Sequence, residues 1–420
     1  MEIHEDSLRC QHPLTEKGEI LRRFFIAAEE DIASGRTTDV YFLNTRKLIE
    51  ANGLKDVSVA AEITASDLPS DWKWAVFAGL EEMLRLFDCL PVTVYAMPEG
   101  TIFRNRSRKG VPVPVARIEG KYYDFAIYET PALGFICHTS GISTMAARYR
   151  IRGMRTPMIS FGIRRAHPAL APMIDRAAYI GGFDAVSSLA GAEAIGHEPQ
   201  GTMPHSAVLL FNDSERAFRA YADVMGEARK IVLVDTLMDE KTEALLAART
   251  VKDLYGVRLD TPRSRRGNFA HIISEVRWEL DTHGHQDVKI FISGGIREED
   301  VETLIKAGAD GFGIGTAISG APPVDFALDI VHCNGADYTK RGKFSGRKEV
   351  FRCPSCFEFD VLPEGSEAPV CETCGFVEET MLSKFLADGK RLIPAEKPDE
   401  IRGRVLTQIE KLSSVREGAR

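Results

Sequence analysis

The chain has no apolar run approaching the ~18 residues that a membrane-crossing helix needs. Its first residues, MEIHEDSLRCQHP, lack the charged-then-apolar pattern of a secretory leader, so a cytoplasmic location is expected. Positive charge is not in excess: 53 Lys and Arg stand against 61 Asp and Glu, a net charge of −8. That balance argues against a general nucleic-acid binder, although local basic pockets can still hold phosphates. There is no internal repeat of fixed length and no low-complexity tract. With 44% hydrophobic and 27% charged residues, the composition excludes a disordered or fibrous chain. A disulfide framework is also missing. Cys10, Cys89, Cys137 and Cys333 stand alone, and the other four of the eight cysteines crowd into one short stretch.

What is present divides the chain into segments of different texture. Its 420 residues, at roughly 150 per domain, predict two or three domains. Gly18 to Ala33 and Trp72 to Leu86 carry apolar residues at helical spacing, whereas Val92 to Met97 and Val111 to Ile118 read as strands. Pro112 and Pro114 demote the second strand to a sheet edge. Helices beside such strands predict an α+β layer over residues 1–129. After Thr130, short apolar runs recur every ~20 to 35 residues, each followed by a helical stretch, which is the pattern of βα units. Strands are expected at Met158–Phe161, Phe183–Val186, Ala207–Phe211, Ile231–Val234, Val257–Leu259, Ile290–Ile292 and Gly311–Ile314. Helices are expected at Ser214–Glu227, Glu240–Arg249, Phe269–Leu280 and Glu298–Ala307. About seven parallel units favour a (β/α) barrel over residues 130–333. The charged tail after Met381 reads as helix or loop.

Cys353-Pro-Ser-Cys356 and Cys371-Glu-Thr-Cys374 are two CxxC pairs with fourteen residues between them. Four thiolates so spaced close a tetrahedron around Zn²⁺. With every position filled by protein, the site is structural, and it predicts a zinc-ribbon module over residues 349–380.

Two glycine motifs fall on consecutive strand ends. Ser293-Gly294-Gly295 ends one, and Gly311-Phe-Gly313-Ile-Gly315-Thr316 ends the next. Glycine lets backbone N–H groups approach an anion closely, and the last two strands of a βα barrel commonly hold a phosphate. Other strand ends carry Arg164, Arg165, Asp184, Asp235 and Asp260, and His205 falls in Gly201-Thr202-Met-Pro-His205-Ser206. Each aspartate taken alone is equally well a helix cap. Gathered in one pocket, these carboxylates and arginines suit a phosphorylated sugar with Mg²⁺.

The order of Thr38-Asp39-Val40-Tyr41, Glu129-Thr130-Pro131, Phe161-Gly-Ile-Arg164-Arg165, Gly182-Phe-Asp184, Gly201-Thr202-Met-Pro-His205-Ser206, Val257-Arg258-Leu-Asp260-Thr261 and the two glycine motifs resembles nicotinate phosphoribosyltransferase, particularly its archaeal form with a zinc knuckle. The resemblance spans about residues 15 to 380. It implies an irregular (β/α) barrel with an open-faced α/β sandwich that borrows chain from residues 334–420. It also implies a homodimer or higher homo-oligomer with shared active sites.

By the same resemblance, Phe161 stacks on the pyridine ring and Tyr41 of a neighbouring subunit stacks on its other face. Arg258 binds the nicotinate carboxylate, with Thr202 nearby. Asp235 and Asp260 hold ribose hydroxyls or Mg²⁺. Arg164, Ser293, Gly294, Gly295, Gly313, Gly315 and Thr316 bind the phosphates of phosphoribosyl pyrophosphate. His205 matches a histidine that ATP phosphorylates. The implied activity makes nicotinate mononucleotide for NAD salvage with coupled ATP hydrolysis. Ser293-Gly294-Gly295 looks more like quinolinate phosphoribosyltransferase, because it lacks the acidic or amide residue that some relatives carry there. Quinolinate and nicotinamide therefore stay as alternative substrates. Arg164 and Arg165 would serve a second carboxylate, and Asp184 would serve an amide. A non-catalytic zinc-ribbon binding protein is the distant alternative.

Overall fold

The computed structural model describes residues 24–226 and 228–417. Cys10, residues 18–23 of the first expected helix and Glu227 of another lie outside the described residues. Of that first helix, Glu29–Ala33 is observed.

One six-stranded antiparallel sheet has the order Phe326–Cys333, Ser58–Ala65, Pro114–Lys121, Val92–Ala96, Ser383–Ala387, Lys390–Arg391. It thus takes strands from both ends of the chain. Phe326–Cys333 pairs with Ser58–Ala65 although it falls inside the 130–333 span expected for the barrel. The expected edge strand is central instead, with Ser58–Ala65 on one side and Val92–Ala96 on the other. Its prolines are tolerated because of where they lie. Pro114 opens the strand at the register shift between Ile63 and Thr64, and Pro112 sits before it in an isolated bridge with Arg106. A missing N–H is harmless at a strand start or bulge. The helix expected from Trp72 shrinks to Leu80–Phe87, behind a short strand at Ala75–Val76. The expected tail becomes the two strands after Met381 and a helix, Pro398–Glu417.

The second sheet is parallel, in the order Ala185–Val186, Met158–Ser160, Gly311–Ile314, Lys289–Ser293, Leu254–Leu259, Lys230–Leu233. It curls into an incomplete barrel that stays open between Ala185–Val186 and Lys230–Leu233. The strand expected at Ala207–Phe211 is the reason. That segment is a helix, His205–Phe211, in which Val208 alone is buried while Leu209 and Leu210 face outward. Met203, Val208 and Phe218 join the barrel core instead. Apolar area removed from water holds a segment equally well in either conformation.

The long helix Glu129–Gly153 serves both sheets. Ala132 and Ile136 pack in the sandwich core, and Ile142, Ala146 and Tyr149 pack in the barrel core. Gly141 is where the chain crosses itself: a Cβ there would lie 2.2 Å from the Pro322 carbonyl oxygen.

Candidate active site

Six parallel strands end on one face, and their loops build a cleft of about 490 Å³, within the usual range for a small-molecule site. Phe161, Arg164, Thr202, His205, Arg258 and Asp260 line it. Ser293, Gly294, Gly295, Gly313, Gly315 and Thr316 form its other wall. The fold therefore gathers residues spread over more than a third of the sequence. Sequence reasoning missed Ser187, Ile163, Met203 and Pro204, which also line the cleft and carry no signal of their own.

Asp235 sits just beneath this surface, with its side chain only 3% exposed. Its Oδ2 accepts the Asp260 backbone N–H at 2.7 Å. Its Oδ1 lies 3.8 Å from His205 Nδ1 and has no hydrogen-bond partner among the described residues. Burial pushes the Asp235 carboxyl up to about 6, against the pull of the Asp260 N–H and of His205. His205 Nε2 is 3.7 Å from Asp260 Oδ2, and Nδ1 is 3.1 Å from Thr236 Oγ1. Ser293 Oγ donates to Asp260 Oδ1 at 2.9 Å. Neither aspartate is a helix cap. Asp239 caps the helix Glu240–Thr250, and Asn268 caps Phe269–Thr282.

Glu243, fully buried, holds the loop after Asp235 by accepting from the N–H groups of Thr236, Leu237 and Met238 at 2.9, 3.1 and 3.3 Å. In the sequence it reads as an ordinary helix-surface glutamate.

Arg258 and Phe161 form the apolar and cationic end of the cleft. The guanidinium carbon lies 5.9 Å from the Phe161 ring centroid. Nη2 donates to the Met203 carbonyl at 3.1 Å, and buried Nε has no partner among the described residues. Burial lowers the Arg258 pKa, with Asp260 and Asp235 opposing. The Phe161 ring edge presses on Gly313, where a Cβ would come within 2.2 Å of Cδ2 and Cε2. Gly294 and Gly295 have φ of +82° and +64°, so both use the left-handed region open to glycine. Arg266 donates to the carbonyls of Thr261, Ser293 and Gly294 from behind this loop.

Two residues lie elsewhere. Asp184 is at the opposite end of the barrel, because it precedes its strand. There it pairs with Arg150 and Arg402 and accepts the Met158 N–H at 2.8 Å. It serves structure and does not line the cleft. Tyr41 stands 56% exposed on the helix Val40–Ala51, outside this cleft. Its helix is anchored where two distant motifs meet. Thr130 Oγ1 donates to Asp39 Oδ2 at 2.9 Å and accepts the Asp39 N–H at 3.2 Å.

The four clustered cysteines form a second, separate site. Their sulfur atoms all lie within 4.8 Å of one another, as ligands of one metal ion such as zinc would. The two knuckles repeat one geometry. Phe357 N–H bonds Cys353 O, and Gly375 N–H bonds Cys371 O, with φ of +58° and +72°. Arg108 donates to Cys371 Sγ at 3.0 Å and pairs with Asp360 and Glu378. No helix among the described residues is long and apolar enough to cross a membrane.

Residues 39–140 match the family described as the quinolinate phosphoribosyl transferase N-terminal domain, and residues 142–329 match its C-terminal domain. Nicotinate phosphoribosyltransferase pncB2 of Mycobacterium tuberculosis is 33% identical over 325 residues, covering 73% of this chain and 67% of that protein. The structure titled nicotinate-nucleotide pyrophosphorylase from Pyrococcus furiosus is 47% identical, with a TM-score of 0.89 over 93% of this chain and 99% of that one. Human nicotinic acid phosphoribosyltransferase, at 20% identity, shares the fold with a TM-score of 0.70 over 89% of this chain and 94% of that one. The chain belongs to the nicotinate phosphoribosyltransferase family of type II phosphoribosyltransferases.

Proposed function

We propose that this enzyme joins nicotinate to phosphoribosyl pyrophosphate, giving nicotinate mononucleotide and pyrophosphate in NAD salvage. The observation that carries the reading is Arg258, whose buried Nε lacks a partner among the described residues and lies beside the Phe161 ring. A planar ring bearing one carboxylate satisfies both groups, and each charge-assisted hydrogen bond contributes ~1.5–3 kcal/mol. Thr202 stands near the same end of the cleft.

In the reaction the pyridine nitrogen lone pair forms the bond to ribose C1 while the C1–oxygen bond breaks and pyrophosphate leaves with that electron pair. The transition state resembles an oxocarbenium ion, which nearby carboxylates stabilise. In this reading Asp260 and Asp235 take that role, and they suit ribose hydroxyls or Mg²⁺ because Asp235 Oδ1 lacks a partner among the described residues. Mg²⁺, when bound, neutralises the leaving pyrophosphate. Arg164, Ser293, Thr316 and the glycine loops are positioned to hold the phosphates.

Coupled ATP hydrolysis is part of the proposal. A His205 ring nitrogen attacks the γ-phosphorus, the bond to ADP breaks, and water later hydrolyses the phosphohistidine. Asp235 and Asp260 flank the imidazole on both nitrogens, which supports a nucleophilic ring held in place. Zinc is the proposed occupant of the cysteine cluster, in a structural role. The proposed assembly is a homodimer, in which exposed Val40 and Tyr41 of one chain cover the cleft of the other.

Purified protein incubated with phosphoribosyl pyrophosphate and each of three pyridines tests the reading. Nicotinate should release pyrophosphate fastest. Nicotinamide is disfavoured because Asp184 is locked away by Arg150 and Arg402. Quinolinate is the second reading, since Arg164 and Arg165 both line the cleft. Faster turnover of quinolinate, with release of carbon dioxide, would replace nicotinate as the substrate.

A further inference from the structure

Beside the catalytic cleft lies a larger cavity of about 640 Å³. Gly295 lines both, so the Ser293-Gly294-Gly295 loop is the wall between them. Arg263, Arg266 and Arg297 line the second cavity, and Asp300 is the one carboxylate among its described lining residues. Arg297 holds that carboxylate through Nε and Nη2 at 2.9 and 2.8 Å, and it also meets Glu299 at 3.2 Å. Arg266 spends its donors on backbone carbonyls of the loop and lies over the Phe269 ring at 4.3 Å. Arg263 has no hydrogen-bond or ion-pair partner among the described residues. The helix Phe269–Thr282 also begins at this wall, adding the positive end of its dipole.

Adjacent guanidinium groups repel, and here burial and Arg263 together lower the Arg266 pKa. A cavity of this size, lined by three guanidinium charges against one carboxylate and with Arg263 unpaired among the described residues, fits an anion with several charges along its length better than a single carboxylate. We propose that this cavity is a second polyanion site, taking a phosphoanhydride chain, from either inorganic pyrophosphate or a nucleoside triphosphate, outside the cleft that contains His205. A ligand here touches the far side of the glycine loop. Its occupancy therefore restrains the loop and changes the affinity for phosphoribosyl pyrophosphate. That consequence rests on the phosphate role proposed for the loop, whereas the binding itself does not.

The test is calorimetric titration of the full chain with pyrophosphate and, separately, with ATP. Nicotinate mononucleotide is held at saturation to occupy the catalytic cleft. Binding should persist under these conditions. Arg263→Glu should weaken it by about tenfold or more, the scale of a lost charge-assisted contact. Tighter binding of ATP assigns the site to a nucleotide, and tighter binding of pyrophosphate assigns it to the free anion. Arg263 is exposed, so the variant should melt as the parent does; Arg297→Gln is the second probe. The proposal is overturned if neither ligand binds once the mononucleotide is present, or if both variants bind as the parent does. If the mononucleotide itself fails to bind, the proposed function falls. Comparing Arg263→Glu with the parent in pyrophosphate alone then still reads this site.

Discussion

Asp235 accepts the backbone N–H of Asp260 through Oδ2 at 2.7 Å, so one strand end holds the next in register at the centre of the cleft. The bond leaves Oδ1 directed toward His205. Burial pushes this carboxyl up to about 6, and His205, Asp260 and Arg258 are the charged groups that face it. Below that value it is protonated and cannot stabilise a developing cation. The rate should therefore rise with pH and level off above about 6. Asp235→Asn keeps an acceptor for Asp260 and loses the charge. It should lower kcat/KM by roughly 100-fold, the scale of one electrostatic group in a water-excluded site, and should remove the acid limb. A pH–rate profile of both proteins checks this, and an unchanged acid limb in the variant would count against Asp235.

Arg258→Ala should raise the KM for nicotinate by about 10- to 150-fold, the equivalent of ~1.5–3 kcal/mol, and leave the KM for phosphoribosyl pyrophosphate within a few-fold. Initial-rate measurements with each substrate varied in turn separate the two. Equal rises would mean that Arg258 shapes the whole cleft and does not recognise the pyridine carboxylate.

His205→Ala should abolish ATP hydrolysis but retain slow, ATP-independent transfer, because Phe161, Arg258 and the glycine loops are untouched. The parent incubated with γ-labelled ATP should carry acid-labile, base-stable label, and the variant none. Nicotinate-stimulated ATP hydrolysis at the parental rate in the variant would exclude a phosphohistidine at this position.

Much of this site was legible because its residue types are demanding. Paired CxxC knuckles are a specific spacing that the fold brings within reach of one metal ion, and the two glycine motifs end consecutive strands that both line the cleft. What escaped depends on packing. Val208-Leu-Leu-Phe211 has strand composition, yet it forms a helix that buries one of its side chains, Val208. Pro112 and Pro114 were misleading because one register shift makes room for a proline in a central strand. Asp184 falls inside the strand that the sequence predicts at Phe183–Val186, but the strand begins at Ala185, so Asp184 precedes it and lies away from the cleft. Glu243 and Arg266 act through backbone carbonyls and N–H groups, which leave no mark in the spacing of side chains.

The cysteine cluster should bring one zinc ion per chain through purification without chelator, as read by elemental analysis. Cys353→Ser should lower stability far more than turnover per folded molecule, because the site is closed and lies apart from the cleft. Each kcal/mol lost lowers Tm by about 2–4 °C in a domain of 150–250 residues, so the change is readily seen in a melting curve. Absence of zinc, or unchanged melting after its removal, would leave the knuckles without a metal role.

Glu129 provides a test of stability that is independent of catalysis. Its carboxyl is pushed up to about 7, first by burial and further by the charge of Asp329, while the Tyr122 hydroxyl at 3.4 Å and Lys340 pull the other way. The neighbouring Thr130 anchors Asp39 and so the helix that carries Tyr41. Between its ordinary value of 4.5 and about 7, the folded chain keeps the Glu129 proton while the unfolded chain has released it. The folded state then binds more protons, so the Glu129 contribution to stability is full below 4.5 and is lost as pH rises through about 7. Its size is at most about 3 kcal/mol. Glu62, Glu82 and Asp175 are also raised by burial, so the total pH dependence is not diagnostic. The difference between Glu129→Gln and the parent is diagnostic, because those groups are common to both. Glutamine cannot ionise, so the variant should gain stability relative to the parent as pH rises from 5 to 8 and be closest to it at the acid end. Melting curves at unit pH steps measure that gap. A gap that stayed constant with pH would show that Glu129 titrates alike in the folded and unfolded chains, with the Tyr122 hydroxyl and Lys340 offsetting its burial in full.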